Sequence, residues 1–335
     1  MRLFRQLCKH AKQHHHPPTN VMLQDYTDLN NLASRLIKME QVGENTFRSH
    51  NHLQGRLNLE AVYGGQAFSS AVRAASMTVS TDFLPHSAHA YLIKSGNVNR
   101  PLNYKVRRVR DGKSFCTRYV DTFQDGDLLT SALISFHVDE ESAIRHQVPL
   151  AQKYPDPESL KTWSDVLDEA MNDSSSNLTS FHKKILKLKQ ENTPPIFYNL
   201  FDIRPIDPLR WTMRGKYAKE QAPAHHTYMK CKGVIGNDQL DHHVMGAFAS
   251  DIPMMECVLV DHITDGFFPT MLFSLDHQVY FHGKFSINEW LLVECTSPVA
   301  EGGRAYAEAR VWTMEGRLVM SISQEGIVRY QKVAK

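Results

Sequence analysis

The stretch LNYKVRRVRDGKSFCTRYVDTFQDGDLLTSALISFHV, residues 102–138, alternates apolar and polar residues between two Asp-Gly pairs. Asp-Gly between alternating runs is the strongest short-range signal of a β-hairpin. The stretch therefore predicts a meander of three long antiparallel strands, at roughly 102–110, 113–124 and 127–138.

A second stretch with the same pattern, EWLLVECTSPVAEGGRAYAEARVWTMEGRLVMSISQEGIVRY, occupies residues 289–330 and has Glu-Gly at its turns. Two turns that recur at one fixed offset, in strands of the same type, indicate a duplicated domain. The offset is 190 positions (302 − 112), and it relates four pairs of residues: Gly112 and Gly302, Gly126 and Gly316, Leu128 and Leu318, and Ser131 and Ser321.

Each copy also has a predicted helix upstream of its meander. Residues 64–79 and 238–250 carry apolar residues at helical spacing, and Asn237 or Asp238 is a suitable N-cap for the second helix. Each half then contains one helix and several long antiparallel strands. The sequence predicts an α+β protein of two fused hotdog domains, each a curved antiparallel sheet wrapped around a central helix.

The predicted domains follow from these two patterns and from the composition between them. Residues 139–195 are charged and contain NDSSSNLTS and KYPDPE, as expected of a linker with an insertion of one or two surface helices. The chain divides into a basic N-terminal tail or weak presequence at 1–25, a first hotdog at 26–138, this linker at 139–195 and a second hotdog at 196–330.

Composition excludes several classes of function. A formal net charge of +2 gives no electrostatic reason to expect nucleic acid as a partner, and no apolar run approaches the roughly 20 residues of a membrane span. Five scattered cysteines without a C-x-x-C pair suit a reducing, intracellular compartment. The His14–His16 tract is expected to be part of a solvated tail, so no metal site is predicted.

Several motifs together resemble those of the type II acyl-CoA thioesterases, the double-hotdog fatty acyl-CoA hydrolases. They include VYGGQ, HHVMGAFASD, SLDHQVYFH and SQEG, and the resemblance covers roughly 40–138 and 196–330. It implies a thioester hydrolase that takes a fatty acyl-CoA, releases free acid and CoA, and uses no metal or covalent cofactor. Pairing of two chains into a homo-oligomer is typical of the resemblance.

The resemblance also implies the catalytic residues, which lie in the second hotdog. They are Asp251 of AFASD, Ser274 of SLDH and Gln324 of SQEG. Thioester hydrolysis needs a positioned water, a base that takes its proton and hydrogen-bond partners that hold it. A carboxylate, a hydroxyl and an amide are suited to these tasks. Taken alone, each is an ordinary helix-end or strand residue.

Candidate substrate-binding residues come mainly from the first hotdog. Gly64 and Gly65, with Gln66 in the same motif, stand at a helix N-terminus, where free amides can receive a carbonyl or phosphate oxygen, or where glycine simply permits close packing. Either His89 lines the site or it satisfies a buried hydrogen bond. The basic turn that includes Arg110 and Lys113 is suited to CoA phosphates, or it is a solvated sheet edge.

Two alternative functions remain open at this stage. One is another hotdog enzyme of acyl-CoA, a hydratase or dehydratase, although the Asp251 region lacks the Asp-His pair of that chemistry in the expected order. The other is a non-catalytic acyl-binding scaffold. The chain ends in KVAK rather than a Ser-Lys-Leu type signal, so peroxisome, mitochondrion and cytosol all stay open.

Overall fold

A computed structural model describes residues 28–173, 178–213, 224–264 and 266–332 of the chain. The predicted N-terminal tail at 1–25, with its His tract and Cys8, lies outside the described residues. The four cysteines within them, Cys116, Cys231, Cys257 and Cys295, are buried and free.

The described residues form one large antiparallel sheet of thirteen strands. The order across the sheet is β1-β2-β4-β5-β6-β3-β10-β13-β12-β11-β8-β7, and β9 pairs with β13. The strands are β1 (Glu40–Gly43), β2 (Thr46–Ser49), β3 (Phe83–Leu92), β4 (Leu102–Asp111), β5 (Phe115–Gln124), β6 (Asp127–Val138), β7 (Phe201–Pro205), β8 (His225–Cys231), β9 (Phe267–Ser274), β10 (Asp276–Phe281), β11 (Leu291–Glu301), β12 (Arg304–Thr313) and β13 (Leu318–Lys332).

The predicted meander is confirmed, and its turn residues explain it. Strands β4, β5 and β6 match the three predicted strands to within two residues at every end. Asp125 and Gly126 both have positive φ, 52° and 91°, as a two-residue hairpin turn requires. In the second meander Gly302 and Gly303 have φ of 61° and 74°. Glycine takes up this left-handed backbone without a steric penalty.

The duplication predicted from the repeated turns is visible in the strand order. From each end of the sheet towards the middle, the strands run β1-β2-β4-β5-β6-β3 in the first half and β7-β8-β11-β12-β13-β10 in the second. The halves meet where β3 pairs with β10, with His89 opposite Gln278. The fold is therefore a double hotdog whose two sheets are continuous.

Eight α-helices lie in the described residues. They are α1 (Leu29–Ile37), α2 (Gly64–Ser76), α3 (Trp163–Asn172), α4 (Ser180–Asn192), α5 (Pro195–Leu200), α6 (Pro208–Trp211), α7 (Gln239–Ala249) and α8 (Met254–Thr264). Helices α2 and α7 are the two predicted central helices, and most residues of both are buried. Asp238 caps α7, because its side chain accepts a hydrogen bond from the Leu240 amide at 2.9 Å.

The insertion between the halves packs more deeply than surface helices would. Trp163 and Val166 of α3 are buried in the main core, and Ile185 of α4 packs in a second apolar cluster with α8. Lys189 of α4 forms an ion pair with Glu256 of α8, and burial lowers the pKa of this lysine. Helix α4 of the insertion thereby packs against α8, the helix that follows Asp251.

One stretch, Gln239–Val260, meets the length and composition expected of a membrane-spanning helix, contrary to the sequence prediction that no run comes close. Its most apolar window is 72% buried inside the protein. Residues 250–253 also divide it into α7 and α8. Burial of this kind is that of a core helix, and such a stretch is weak evidence of a span.

Candidate active site

The structure brings together the three side chains implied as catalytic. The Gln324 amide nitrogen donates hydrogen bonds to Asp251 Oδ1 at 3.0 Å and to Ser274 Oγ. Asp251 and Ser274 are partly exposed, whereas Gln324 is fully buried. The carboxylate and the hydroxyl are therefore nearer to solvent than the amide that joins them.

Three different elements deliver these side chains. Asp251 lies two residues beyond the last residue of α7, Ser274 ends β9, and Gln324 lies within β13. Strand β9 pairs with β13 so that Ser274 stands opposite Gly326. Residues far apart in the sequence thus converge because the end of the central helix lies against this part of the sheet.

Gly65 links the first half of the protein to Asp251. Its backbone N–H, at the start of α2, donates to Asp251 Oδ2 at 2.8 Å. A Cβ at Gly65 would lie 2.5 Å from the Phe248 carbonyl oxygen and 2.6 Å from Tyr63 Cε1, and a Cβ at Gly64 would lie 3.0 Å from Asp251 Oδ2. The pair of glycines is explained by the close approach of the N-terminus of α2 to the C-terminal end of α7.

The same contact offsets an unfavourable electrostatic position of the Asp251 carboxylate. A carboxylate at the C-terminal end of α7 meets the unfavourable pole of that helix, but the N-terminus of α2 supplies a favourable one together with a hydrogen-bond donor. Tyr63, just before α2, is buried, and burial together with the nearby Asp251 charge raises its pKa well above the ordinary value. The phenol stays neutral and donates to the Phe248 carbonyl at 3.2 Å.

Two side chains beneath the site were not identified from the sequence. His277 lies with Nδ1 3.0 Å from Gln324 Oε1 and with Nε2 2.7 Å from Ser250 Oγ. Both His277 and Ser250 are buried. The signal was present, since His277 belongs to SLDHQVYFH and Ser250 to AFASD, but neither motif says which of its polar residues face inward.

Gln66 does not reach the catalytic side chains in this structure. Its side chain is buried, accepts from the Leu53 amide at 2.7 Å and donates to the Asn51 carbonyl at 2.6 Å. These two bonds fasten the segment before α2 to the helix. The residue supports the position of the helix N-terminus rather than lining the site.

His89 also lies away from the three catalytic candidates. It stands opposite Gln278, which stands opposite Ser323, so these three share one face of the sheet. Gln324 follows Ser323 and points to the other face, because successive strand residues alternate. His89 Nε2 instead lies 3.0 Å from Asp276 Oδ2, with about a third of the imidazole exposed.

The basic turn with Arg110 and Lys113 lies at the opposite end of α2. Arg118 shows this, because it donates to the Arg110 carbonyl at 2.9 Å and to Thr78 Oγ1, just beyond the C-terminus of α2, at 2.7 Å. A helix of 13 residues is about 20 Å long, so this turn is separated from Gly65 by roughly that distance. Both basic side chains are exposed.

The described residues contain no group of three or more His, Cys, Asp or Glu side chains placed to hold a metal ion. The adjacent His242 and His243 have separate surroundings. His242 Nε2 lies 3.1 Å from the Gly236 carbonyl, and His243 Nδ1 lies 2.7 Å from that of Gln239. Burial lowers the pKa of His243 to about 4.

A carboxylate, a hydroxyl and an amide that meet between the two central helices of a double hotdog can hold and activate a water, as a hydrolase requires. Comparison with known proteins identifies the class. Residues 53–137 match the family model described as the acyl-CoA thioesterase N-terminal domain, and residues 178–328 match the one described as the C-terminal domain. The chain belongs to the type II acyl-CoA thioesterase family.

Relatives cover nearly the whole chain. It is 28% identical over 299 residues to human acyl-coenzyme A thioesterase 8, covering 89% of each chain. It is 25% identical over 307 residues to acyl-CoA thioesterase 2 of Haemophilus influenzae, covering 91% of this chain and 99% of that one. The crystal structure of an acyl-CoA thioesterase II from Mycobacterium marinum superposes with a TM-score of 0.69 at 25% identity, over 89% of this chain and 98% of that one. The protein is an acyl-CoA hydrolase.

Proposed function

We propose that this protein hydrolyses fatty acyl-CoA to free fatty acid and CoA by direct attack of a water that Asp251, Ser274 and Gln324 hold. The observation that carries the proposal is the Gln324 amide, which donates to both of the other side chains. A carboxylate, a hydroxyl and an amide joined in this way present complementary donors and acceptors at one point of a partly exposed site.

In the proposed reaction Asp251 accepts a proton from the water while the water oxygen attacks the thioester carbonyl carbon. The tetrahedral intermediate collapses by breaking the carbon–sulfur bond, and the departing thiolate of CoA takes up the proton from Asp251, which restores the base. A carboxylate offers about four lone-pair positions. Gly65 and Gln324 occupy two of them, which leaves acceptor capacity for the water.

The first hotdog positions the catalytic base but does not supply it. The Gly65 amide donates to Asp251, so it holds the base instead of receiving the substrate carbonyl. The Gly64 amide precedes it as the first N–H of α2, and such an amide has no partner within its own helix. We assign the substrate carbonyl to this amide, which lies beside the carboxylate.

The geometry disfavours the hydratase or dehydratase alternative. That chemistry needs an Asp and a His that both touch the substrate, and the histidine below this site, His277, is 1% exposed. A non-catalytic acyl-binding scaffold is disfavoured as well, because the carboxylate, hydroxyl and amide are all present and connected by hydrogen bonds.

The name of one relative bears on the compartment. One relative, from Saccharomyces cerevisiae, is named a peroxisomal acyl-coenzyme A thioester hydrolase and is 25% identical over 302 residues. This name supports the peroxisome among the three compartments that the sequence leaves open.

The test is thiol release from a panel of acyl-CoAs of increasing chain length, with wild type beside Asp251→Asn. The variant keeps the shape of the side chain but removes the base, so turnover is expected to fall on the order of 10²–10⁴-fold. Asp241→Asn is the matched control, because Asp241 pairs with Arg73 at the opposite end of the two helices. Near-wild-type turnover by folded Asp251→Asn would show that another group is the base.

A further inference from the structure

His277 is a buried titratable side chain that the proposed reaction does not use. It lies on β10 with 1% of its surface exposed, and its ring meets Phe68 edge-on at a centroid distance of 4.8 Å. Burial prevents it from touching a substrate. His277 can therefore affect hydrolysis only through its neighbours, which are the packed Phe68 ring and its two hydrogen-bond partners, Gln324 and Ser250.

The hydrogen bonds around Gln324 fix which ring nitrogen of His277 carries a hydrogen. An ionised carboxylate can only accept, so the nitrogen of the Gln324 amide must face Asp251. The amide oxygen then faces His277 Nδ1 at 3.0 Å. An oxygen of this kind accepts, so Nδ1 must be the N–H of the ring.

The other ring nitrogen meets Ser250, the residue immediately before Asp251. Burial lowers the pKa of His277, which favours the neutral ring and leaves a lone pair on Nε2. Ser250 Oγ lies 2.7 Å from this nitrogen and 2.8 Å from the Ala247 carbonyl. The hydroxyl has one hydrogen, which the Ala247 carbonyl and the neutral Nε2 share as acceptors.

From this geometry we propose that His277 is a positioning residue that sets the orientation of the Gln324 amide. The inference rests on the proposed function of Asp251, Ser274 and Gln324. The amide group of a glutamine has two orientations that differ by exchange of oxygen and nitrogen. The N–H of His277 selects the one that presents nitrogen to Asp251 and Ser274, whereas the reverse orientation would direct an oxygen at the carboxylate.

Two substitutions separate positioning from packing. In His277→Asn the side-chain nitrogen takes the place of Nδ1 and keeps the donor, although volume is lost. His277→Leu fills the space but has no donor. We expect His277→Asn to keep kcat within a few-fold of wild type, and His277→Leu to lower kcat about 10–10²-fold with KM little changed. The reverse order, with Leu more active than Asn, would show that His277 acts by packing.

A double-mutant cycle tests whether the effect passes through Gln324. His277→Leu is introduced into wild type and into Gln324→Ala, and each variant is compared by kcat per folded molecule. Because the proposed role is exercised through the amide, His277→Leu should cost nothing further once that amide is gone. An equal loss in both backgrounds would overturn the proposal.

The tautomer of His277 can also be observed directly in the folded wild-type protein. In wild type labelled with ¹⁵N in histidine, the His277 signals are identified by their absence from His277→Asn. Nδ1 is expected as the protonated type and Nε2 as the unprotonated type. A protonated Nε2 with an unprotonated Nδ1 would refute the inference. Failure of the proposed function itself would appear separately, as a wild type that releases no thiol.

Discussion

Replacing Gly65 by alanine should separate the two halves of the active site without removing any catalytic side chain. The added Cβ would stand 2.5 Å from the Phe248 carbonyl oxygen, and ordinary contacts of a Cβ begin near 3.4 Å. Helix α2 must therefore withdraw by about 0.9 Å, since the obstacle is backbone. A withdrawal along the bond would stretch the 2.8 Å hydrogen bond from Gly65 to Asp251 to about 3.7 Å, beyond hydrogen-bonding range.

Two consequences of this shift are measurable. Displacement of a catalytic group by roughly 1 Å costs on the order of 10²-fold in turnover. Overpacking of a well-packed core costs about 1–3 kcal/mol in the free energy of unfolding. Thiol release from acyl-CoA gives the first quantity for Gly65→Ala, and urea unfolding gives the second.

Gly236→Ala is the matched control, because Gly236 precedes the other central helix, α7, and a Cβ there would have no atom within 4 Å. This variant should keep the turnover of wild type and unfold within about 0.5 kcal/mol of it. If Gly65→Ala is folded and turns over like Gly236→Ala, the contact between Gly65 and Asp251 does not hold the base, and the reasoning fails.

Two further predictions concern stability. Arg118 is 1% exposed and donates to both oxygens of Thr78 beyond the end of α2, so Arg118→Met should lower the free energy of unfolding in urea by about 3 kcal/mol, and a loss below 1 kcal/mol would contradict this role. Burial lowers the pKa of His52 and His243 to about 4 and that of His225 to about 3, against about 6.5 in the unfolded chain. Because the unfolded state binds these protons first, unfolding free energy should be greatest above pH 6.5 and fall by up to about 1.4 kcal/mol per pH unit for each histidine between pH 6.5 and 4. Urea midpoints at a series of pH values test this; an equal midpoint at pH 7 and pH 5 would contradict it.

The sequence predicted the elements of this fold better than it predicted the surroundings of each side chain. Strand ends are set by local turn chemistry, such as the positive φ of Asp125 and Gly126, so the meanders could be located from the sequence. The role of Gly65 could not, because the carbonyl that excludes a side chain there belongs to Phe248, far along the chain.

Nearness to a motif was a poor guide to the binding residues. Gln66 is one residue from Gly65, yet its side chain bonds to the segment before the helix. Arg110 and Lys113 belong to the same half of the protein, but their turn lies at the far end of α2. The hydrophobic periodicity of a sequence does not show which end of a helix will lie beside a loop that is distant in the chain. His277 was missed for a related reason, since its importance depends on Gln324, which another strand supplies.

The pairing of β3 with β10 has a consequence for synthesis of the chain. Strand β3 is an interior strand in the finished sheet, but its partner lies roughly 190 residues further along. At about 5–20 residues per second, the ribosome needs about 10–40 s to deliver that partner. For that time β3 presents an unpaired edge, the feature of a sheet most prone to pair with another chain. Each newly made molecule therefore passes through a period in which this edge is open to pairing with another chain.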